Sequence, residues 1–127
     1  MQALQELTEL SAQVERAVVL DAGGSLLGST LVDQGAAEKL AGAARELTDA
    51  AAELHASDRV VRVEVELADG AVFVLREGGL TIAAVTGPSP TAGLVAYDLR
   101  TCLQAIDKKP KRTRRRASSK PKEEAGE

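Results

Sequence analysis

The chain has 127 residues but only one cysteine, one histidine, no tryptophan and two aromatic residues, Phe73 and Tyr97. A single thiol, Cys102, excludes an internal disulfide and any cysteine-based zinc site. His55 has no second histidine with which to build a usual metal centre. With so few aromatics the stacking platforms of single-stranded nucleic-acid binders are missing. Apolar runs such as 17–20 and 71–75 are far shorter than the roughly twenty residues that span a bilayer. The beginning of the chain lacks the basic-then-apolar pattern of an export leader, so a cytoplasmic location is expected.

Charge is abundant and unevenly placed. Residues 1–107 carry 7 Lys/Arg against 16 Asp/Glu, a balance of −9, and residues 108–127 carry 9 against 3, a balance of +6. The net charge of −3 conceals this division. The basic run comprises Lys108, Lys109, Lys111, Arg112, Arg114, Arg115 and Arg116. The expectation is one small domain over 1–107 followed by a basic, disordered tail over 108–127. Such a tail offers weak, sequence-independent contact with nucleic-acid phosphate or with an anionic membrane surface, or serves only to solubilise the chain. Arg115-Arg116-Ala117-Ser118 also has the short pattern of a basophilic kinase site.

Hydrophobic periodicity organises the body. Leu4, Leu7, Leu10 and Val14 fall at helical spacing. The β-branched run 16–21, the turn residues Ala22-Gly23-Gly24 and the segment 25–30 read as a hairpin. Asp33 is placed to cap a long helix that runs to about Ala56 before Ser57-Asp58. In it Leu40, Leu47 and Leu54 recur every seven residues, and Ala37, Ala44 and Ala51 precede each by three. Ala36, Ala43, Ala50, Ala41 and Ala52 widen the apolar arc beyond what one sheet needs. Leucines suit a sheet surface and alanines admit a second helix closely, although alanine also simply raises helix propensity.

Beyond the helix, Val61, Val63, Val65 and Leu67 alternate with Arg62, Glu64 and Glu66, the pattern of a strand with one wet face. Asp69-Gly70 reads as a hairpin turn. The runs 71–75 and 80–85, separated by Gly78-Gly79, are apolar on both faces and belong at the centre of a sheet. Gly87-Pro88-Ser89-Pro90 ends the sheet, Thr91 is a cap, and Val95, Leu99, Cys102, Leu103 and Ile106 line a last helix. The order α-β-β-α-β-β-β-α implies an α/β fold: a three-layer α/β/α sandwich around a five-stranded, mostly antiparallel sheet. The charged alternation marks 60–67 as an edge strand, which must be protected or paired. Two copies pairing antiparallel would set Arg62 opposite Glu64 or Glu66 of the partner. Edge and alanine seam together predict a homodimer through Ala37, Ala44, Ala51, Val61, Arg62, Val63, Glu64 and Glu66.

Chemistry is harder to find. Gly23-Gly24 lacks the residues that complete either nucleotide-binding fingerprint and reads as a turn. Cys102 lies on an apolar stripe without a basic neighbour in register, as a packing thiol does. Asp21 and Asp98 are not placed as an acid/base pair. No catalytic constellation is expected, and no cofactor.

Over residues 3–107 the sequence resembles the Roadblock/dynein light chain family in its bacterial form. The resemblance rests on the element order, on the run Ala17-Val18-Val19-Leu20-Asp21-Ala22-Gly23-Gly24-Ser25-Leu26-Leu27 with the long helix after it, and on 80–103, where Gly93-Leu94 open the last helix. It implies a non-enzymatic homodimer in which middle strands join into one sheet and the long helices lie side by side. It further implies binding or regulation of a small Ras-like GTPase, for which the outer arc of the long helix would present Glu38, Arg45, Glu46, Asp49 and Glu53. The basic tail falls outside the resemblance; the alternative is a scaffold or nucleic-acid accessory protein acting through that tail. The prevalence of Ala and Arg hints at a GC-rich bacterial source.

Overall fold

The computed structural model describes residues 2–55 and 61–114, with side chains described over 2–54 and 61–106. Eight elements follow one another: α1 (Gln2–Leu10), β1 (Val14–Leu20), β2 (Leu26–Ser29), α2 (Gln34–His55), β3 (Arg62–Leu67), β4 (Gly70–Glu77), β5 (Leu80–Thr86) and α3 (Ala92–Arg114). The element order is the one the sequence predicts. The strands form a single sheet in the order β2-β1-β5-β4-β3, and every neighbouring pair is antiparallel.

Alternation along the strands divides the core in two. Ala17, Val19, Phe73, Leu75, Ile82 and Ala84 point to one face, where Leu4 and Leu7 of α1 and Val95, Leu99 and Leu103 of α3 cover them. Val18, Leu20, Val74 and Ala83 point to the other, beneath α2. The central strands β1, β5 and β4 are thus apolar on both faces because both are covered. Chain connectivity follows from length. A helix of 22 residues spans about 33 Å, enough to carry the chain from the β2 edge of the sheet to the β3 edge.

The boundaries have local causes. Asp33 caps α2 through its Oδ1, which accepts the Gly35 N–H at 3.1 Å, while its carbonyl accepts Ala37 N–H. Ser57-Asp58, the expected end signal, lies outside the described residues. Thr91 occupies the position before α3, its carbonyl accepting Val95 N–H and its own N–H donating to Gln13 Oε1. β2 stops at Ser29 because the Thr30 hydroxyl takes over the ladder, accepting the Ala17 N–H at 2.9 Å.

Two sequence expectations are corrected. The β3–β4 turn is Ala68-Asp69, and Gly70 already belongs to β4, paired with Leu67. Gly70 is required by a close approach: a Cβ there would meet the Thr86 carbonyl oxygen at 2.4 Å. The two-residue turn with glycines at positive φ is the next one, Gly78-Gly79, which closes β4 onto β5 at Glu77 and Leu80. In α2 the leucines and alanines exchange the roles expected of them. Ala37, Ala41 and Ala44 are buried against the chain's own sheet, whereas Leu40 and Leu47 are half-buried at its flank and Leu54 is 89% exposed. Small side chains let the helix sit close on the β-branched sheet surface, and the leucines are left beside it.

Candidate functional site

The free edge of β3 and the adjoining flank of α2 form one surface. Turning α2 by about 100° per residue places Ala37, Ala41, Ala44 and Thr48 on the sheet side. Arg45 then falls on one flank and Leu40, Leu47 and Leu54 on the other. The Arg45 guanidinium donates to the Gly24 carbonyl at 2.6 Å, which fixes its flank toward the β1–β2 turn. The leucine flank therefore turns toward the opposite edge, and Leu40 and Leu47 pack in the same cluster as Val63 of β3 and Val72 of β4. Val61 and Leu67, exposed at 59% and 52%, continue this apolar strip along the edge strand.

The backbone of β3 completes the surface. Arg76 N–H donates to the Val61 carbonyl at 2.9 Å. By the alternation of an antiparallel ladder, the main-chain groups of Val61, Val63, Val65 and Leu67 are directed to β4 and those of Arg62, Glu64 and Glu66 to the free edge. No strand among the described residues takes up that edge. On the opposite face Arg62 Nε lies 2.8 Å from Glu64 Oε2. This is an exposed pair, worth about 0–1 kcal/mol.

The predicted interface residues are thus divided. Val61, Arg62, Val63, Glu64 and Glu66 lie together on the edge, and Ala51 lies half-buried near the leucine flank. Ala37 and Ala44 are each only 1% exposed and are taken up by the core, so they offer no surface to a second helix. Leu40, Leu47 and Leu54 form the apolar flank of α2 instead. The recurrence of leucine every seven residues was the signal; what it lacked was the side of the helix that the sheet would occupy.

The predicted partner-binding residues divide as well. Glu38, Glu46 and Glu53 are exposed on the outer arc of α2. Asp49 is exposed as well and, with the half-buried Arg45, borders a polar cleft of about 230 Å³ beside the β1–β2 turn, together with Thr48, Arg76 and Thr81. Asp21, at the rim of this cleft, accepts the Gly23 and Ser25 N–H groups at 2.9 Å and shapes the turn. Gly23-Gly24 is accordingly a turn rather than a phosphate loop.

Cys102 is buried, and burial together with the negative charge of Glu6 pushes its thiol up to about 11. A thiol so held is protonated and unreactive at neutral pH. Among the described residues no three His, Cys, Asp or Glu side chains are grouped so as to hold a metal ion. Among them, too, no helix is long and apolar enough to cross a membrane. The backbone of α3 continues to Arg114 and so carries residues 108–114 of the basic run. The side chains of Lys108, Lys109, Lys111, Arg112 and Arg114, the remaining tail from Arg115 and Arg116 onward, and the side chain of His55 lie outside the described residues.

No protein-family model and no curated protein matches the sequence. Solved structures do match in three dimensions. A Roadblock/LC7 domain from Streptomyces avermitilis is 21% identical over 88% of this chain and 96% of its own, with a TM-score of 0.73. MglB of Myxococcus xanthus is 17% identical, covering 87% and 94%, with a TM-score of 0.66. A further structure, MglB with a tetrameric arrangement, is 16% identical over 84% and 83%, with a TM-score of 0.62. The likeness extends over nearly the whole length of these domains and includes all three layers, so the fold of this chain is that of a Roadblock/LC7 domain.

Proposed function

We propose that this chain is a regulatory docking module of the bacterial Roadblock type. It pairs with a second copy through β3 and the leucine flank of α2, and the paired outer arcs of α2 receive a small Ras-like GTPase. The observation that carries this reading is the coincidence, on one side of the molecule, of an unpaired strand edge and an apolar helix flank. An open edge invites strand addition, and an apolar strip beside it supplies the burial that hydrogen bonds alone do not. The GTPase partner comes from the family resemblance, with the exposed Glu38, Glu46 and Glu53 as its surface; the similarity to MglB accords with it.

Strand chemistry selects a register. With outward main-chain groups at Arg62, Glu64 and Glu66, a two-fold pairing centred on Val63 sets Arg62 opposite Glu64 of the partner copy on both sides of the axis. Centring on Glu64 instead would place two Glu64 carboxylates face to face, which is unfavourable. Val63 therefore meets its own copy as a non-hydrogen-bonded pair, with Cα atoms about 4.5 Å apart, within disulfide reach. Since Cys102 is buried, Val63→Cys should cross-link the dimer on mild oxidation and Glu64→Cys should not. A strong Glu64→Cys cross-link or a monomer at micromolar concentration would reject the register or the dimer, respectively. For the partner, charge reversal at Glu46 and Glu53 should weaken binding of a Ras-like GTPase while leaving the dimer intact. Unchanged affinity would remove the α2 arc from the reading, and binding lost only on deletion of 108–127 would transfer the activity to the tail.

A further inference from the structure

The face of the sheet opposite α2 carries a second surface that dimerisation through β3 does not use. α1 and α3 pack antiparallel. The Cys102 thiol donates to the Ala3 carbonyl at 3.6 Å, which sets the start of α1 against the middle of α3 and leaves Leu10 toward Tyr97. Between them runs a groove of about 150 Å³ with an apolar floor that includes Leu7 and Cys102. Leu10 is 81% exposed and Tyr97, the only tyrosine, is 65% exposed. Along α1 the groove extends from Ala3 to Leu10, about 10 Å or two helical turns.

Among the described residues the charged groups lining this groove, Glu6 and Asp98, are negative. Glu6 accepts from Gln2 Nε2 at 3.0 Å, and neither Glu6 nor Asp98 lies within ion-pair distance of a cation among the described residues. Arg100, the nearest basic side chain along α3, points elsewhere and is engaged by Glu77 at 3.1 Å. An anionic lipid surface or nucleic acid would be repelled here. The basic tail of the chain supplies charge but none of the large apolar side chains that the floor requires.

From this pairing of an apolar floor with unneutralised acids, we infer that the α1–α3 groove docks a short amphipathic helix of another protein, with apolar anchors one turn apart flanked by lysine or arginine. A helix laid there would insert two anchors beside Leu7 and Leu10, cover the Tyr97 ring and bring its cations to Glu6 and Asp98. Tyrosine in such a position is a frequent centre of binding energy.

The test uses the full chain and two synthetic three-turn amphipathic peptides, each with leucines and one tryptophan on a single face. One is flanked by lysine and the other by glutamate. Because the chain contains no tryptophan, the peptide's fluorescence reports binding directly. The lysine peptide should bind and the glutamate peptide should not. Tyr97→Ser should weaken binding about tenfold, corresponding to the loss of a well-packed anchor. The double variant Glu6→Lys, Asp98→Lys should reverse the preference in favour of the glutamate peptide. These are surface positions, and an unchanged circular dichroism melt verifies the fold. Equal binding of both peptides, or a preference that survives the double reversal, would overturn the inference. So would dissociation of the native oligomer by Tyr97→Ser, because the groove would then be occupied by a second copy. The Val63→Cys cross-link is independent of all these outcomes.

Discussion

Leu54→Ala separates the leucine flank of α2 from its buried face. In the single chain Leu54 is 89% exposed, so truncating it removes almost no intramolecular packing and the folded monomer should lose less than about 0.5 kcal/mol. In the proposed dimer the side chain is covered. Leucine to alanine removes about three methylene equivalents at about 0.8 kcal/mol each when fully buried, and two-fold symmetry counts the change twice. Taking about half of the resulting 5 kcal/mol, because an interface flank is less completely covered than a core, gives about 2.5 kcal/mol, or roughly a 60-fold rise in the dimer dissociation constant. Sedimentation equilibrium over a concentration series reads this directly. Glu38→Gln on the outer arc of the same helix is the control and should leave the constant unchanged. A dissociation constant unaltered by Leu54→Ala, with the dimer present, would place the interface elsewhere and refute the assignment of the leucine flank.

Three further outcomes test the local physics. Gly70→Ala should destabilise the fold by about 2–3 kcal/mol, because a Cβ at 2.4 Å from the Thr86 carbonyl oxygen must push β4 and β5 apart; the urea midpoint reads it, and an unchanged midpoint would refute the close approach. Asp33→Ala should cost about 1 kcal/mol by removing the cap on the Gly35 N–H, whereas Asp33→Asn, which keeps an acceptor, should cost little. The Cys102 thiol is raised from 9.0 to about 11. The unfolded chain therefore releases this proton first as pH rises, so the thiol's contribution to stability is intact below about pH 9 and is lost on passing from 9 to 11. Cys102→Ala should remove that component from the alkaline stability profile, and an identical profile would show that another group governs it.

The sequence identifies an element wherever its pattern admits one structural reading. The strand 62–67 alternates without exception, and its charged face alone places it at an edge, where the structure has it. The double-sided apolar runs of β4 and β5 place these strands centrally for the same reason. α2 was ambiguous because its apolar arc is wider than the surface it must cover. Ala37 and Ala44 serve equally well against a sheet or a second helix, and only the position of β1 and β5 beneath them decides. Gly70 illustrates another limit: a glycine after aspartate has the signature of a turn, while its actual constraint is a carbonyl from a strand sixteen residues later. Arg45, expected on the exposed arc, lies by helical rotation on the flank beside the sheet, where its guanidinium reaches the Gly24 carbonyl.

The exchange between leucine and alanine changes the functional geometry of α2. If alanines faced a partner helix, the two α2 helices would approach closely and bring their acidic arcs together at the axis. In the proposed dimer, with the alanines against the sheet, the leucines would set the spacing, and helices packed through large side chains lie toward the far end of the 8–10 Å range. The charged outer arcs would then diverge on either side of the two-fold axis, with a shallow trough between them floored by leucine and by Ala43 and Ala50, which are exposed in the single chain. A partner received in that trough would meet apolar side chains at its centre and Lys39, Glu46 and Glu53 at its margins, the arrangement of a desolvated centre within a polar rim. Filling the trough with bulk rather than charge tests this geometry. Ala43→Leu should leave the β3 cross-link intact and obstruct partner binding; unchanged partner binding would place the partner elsewhere than in the trough.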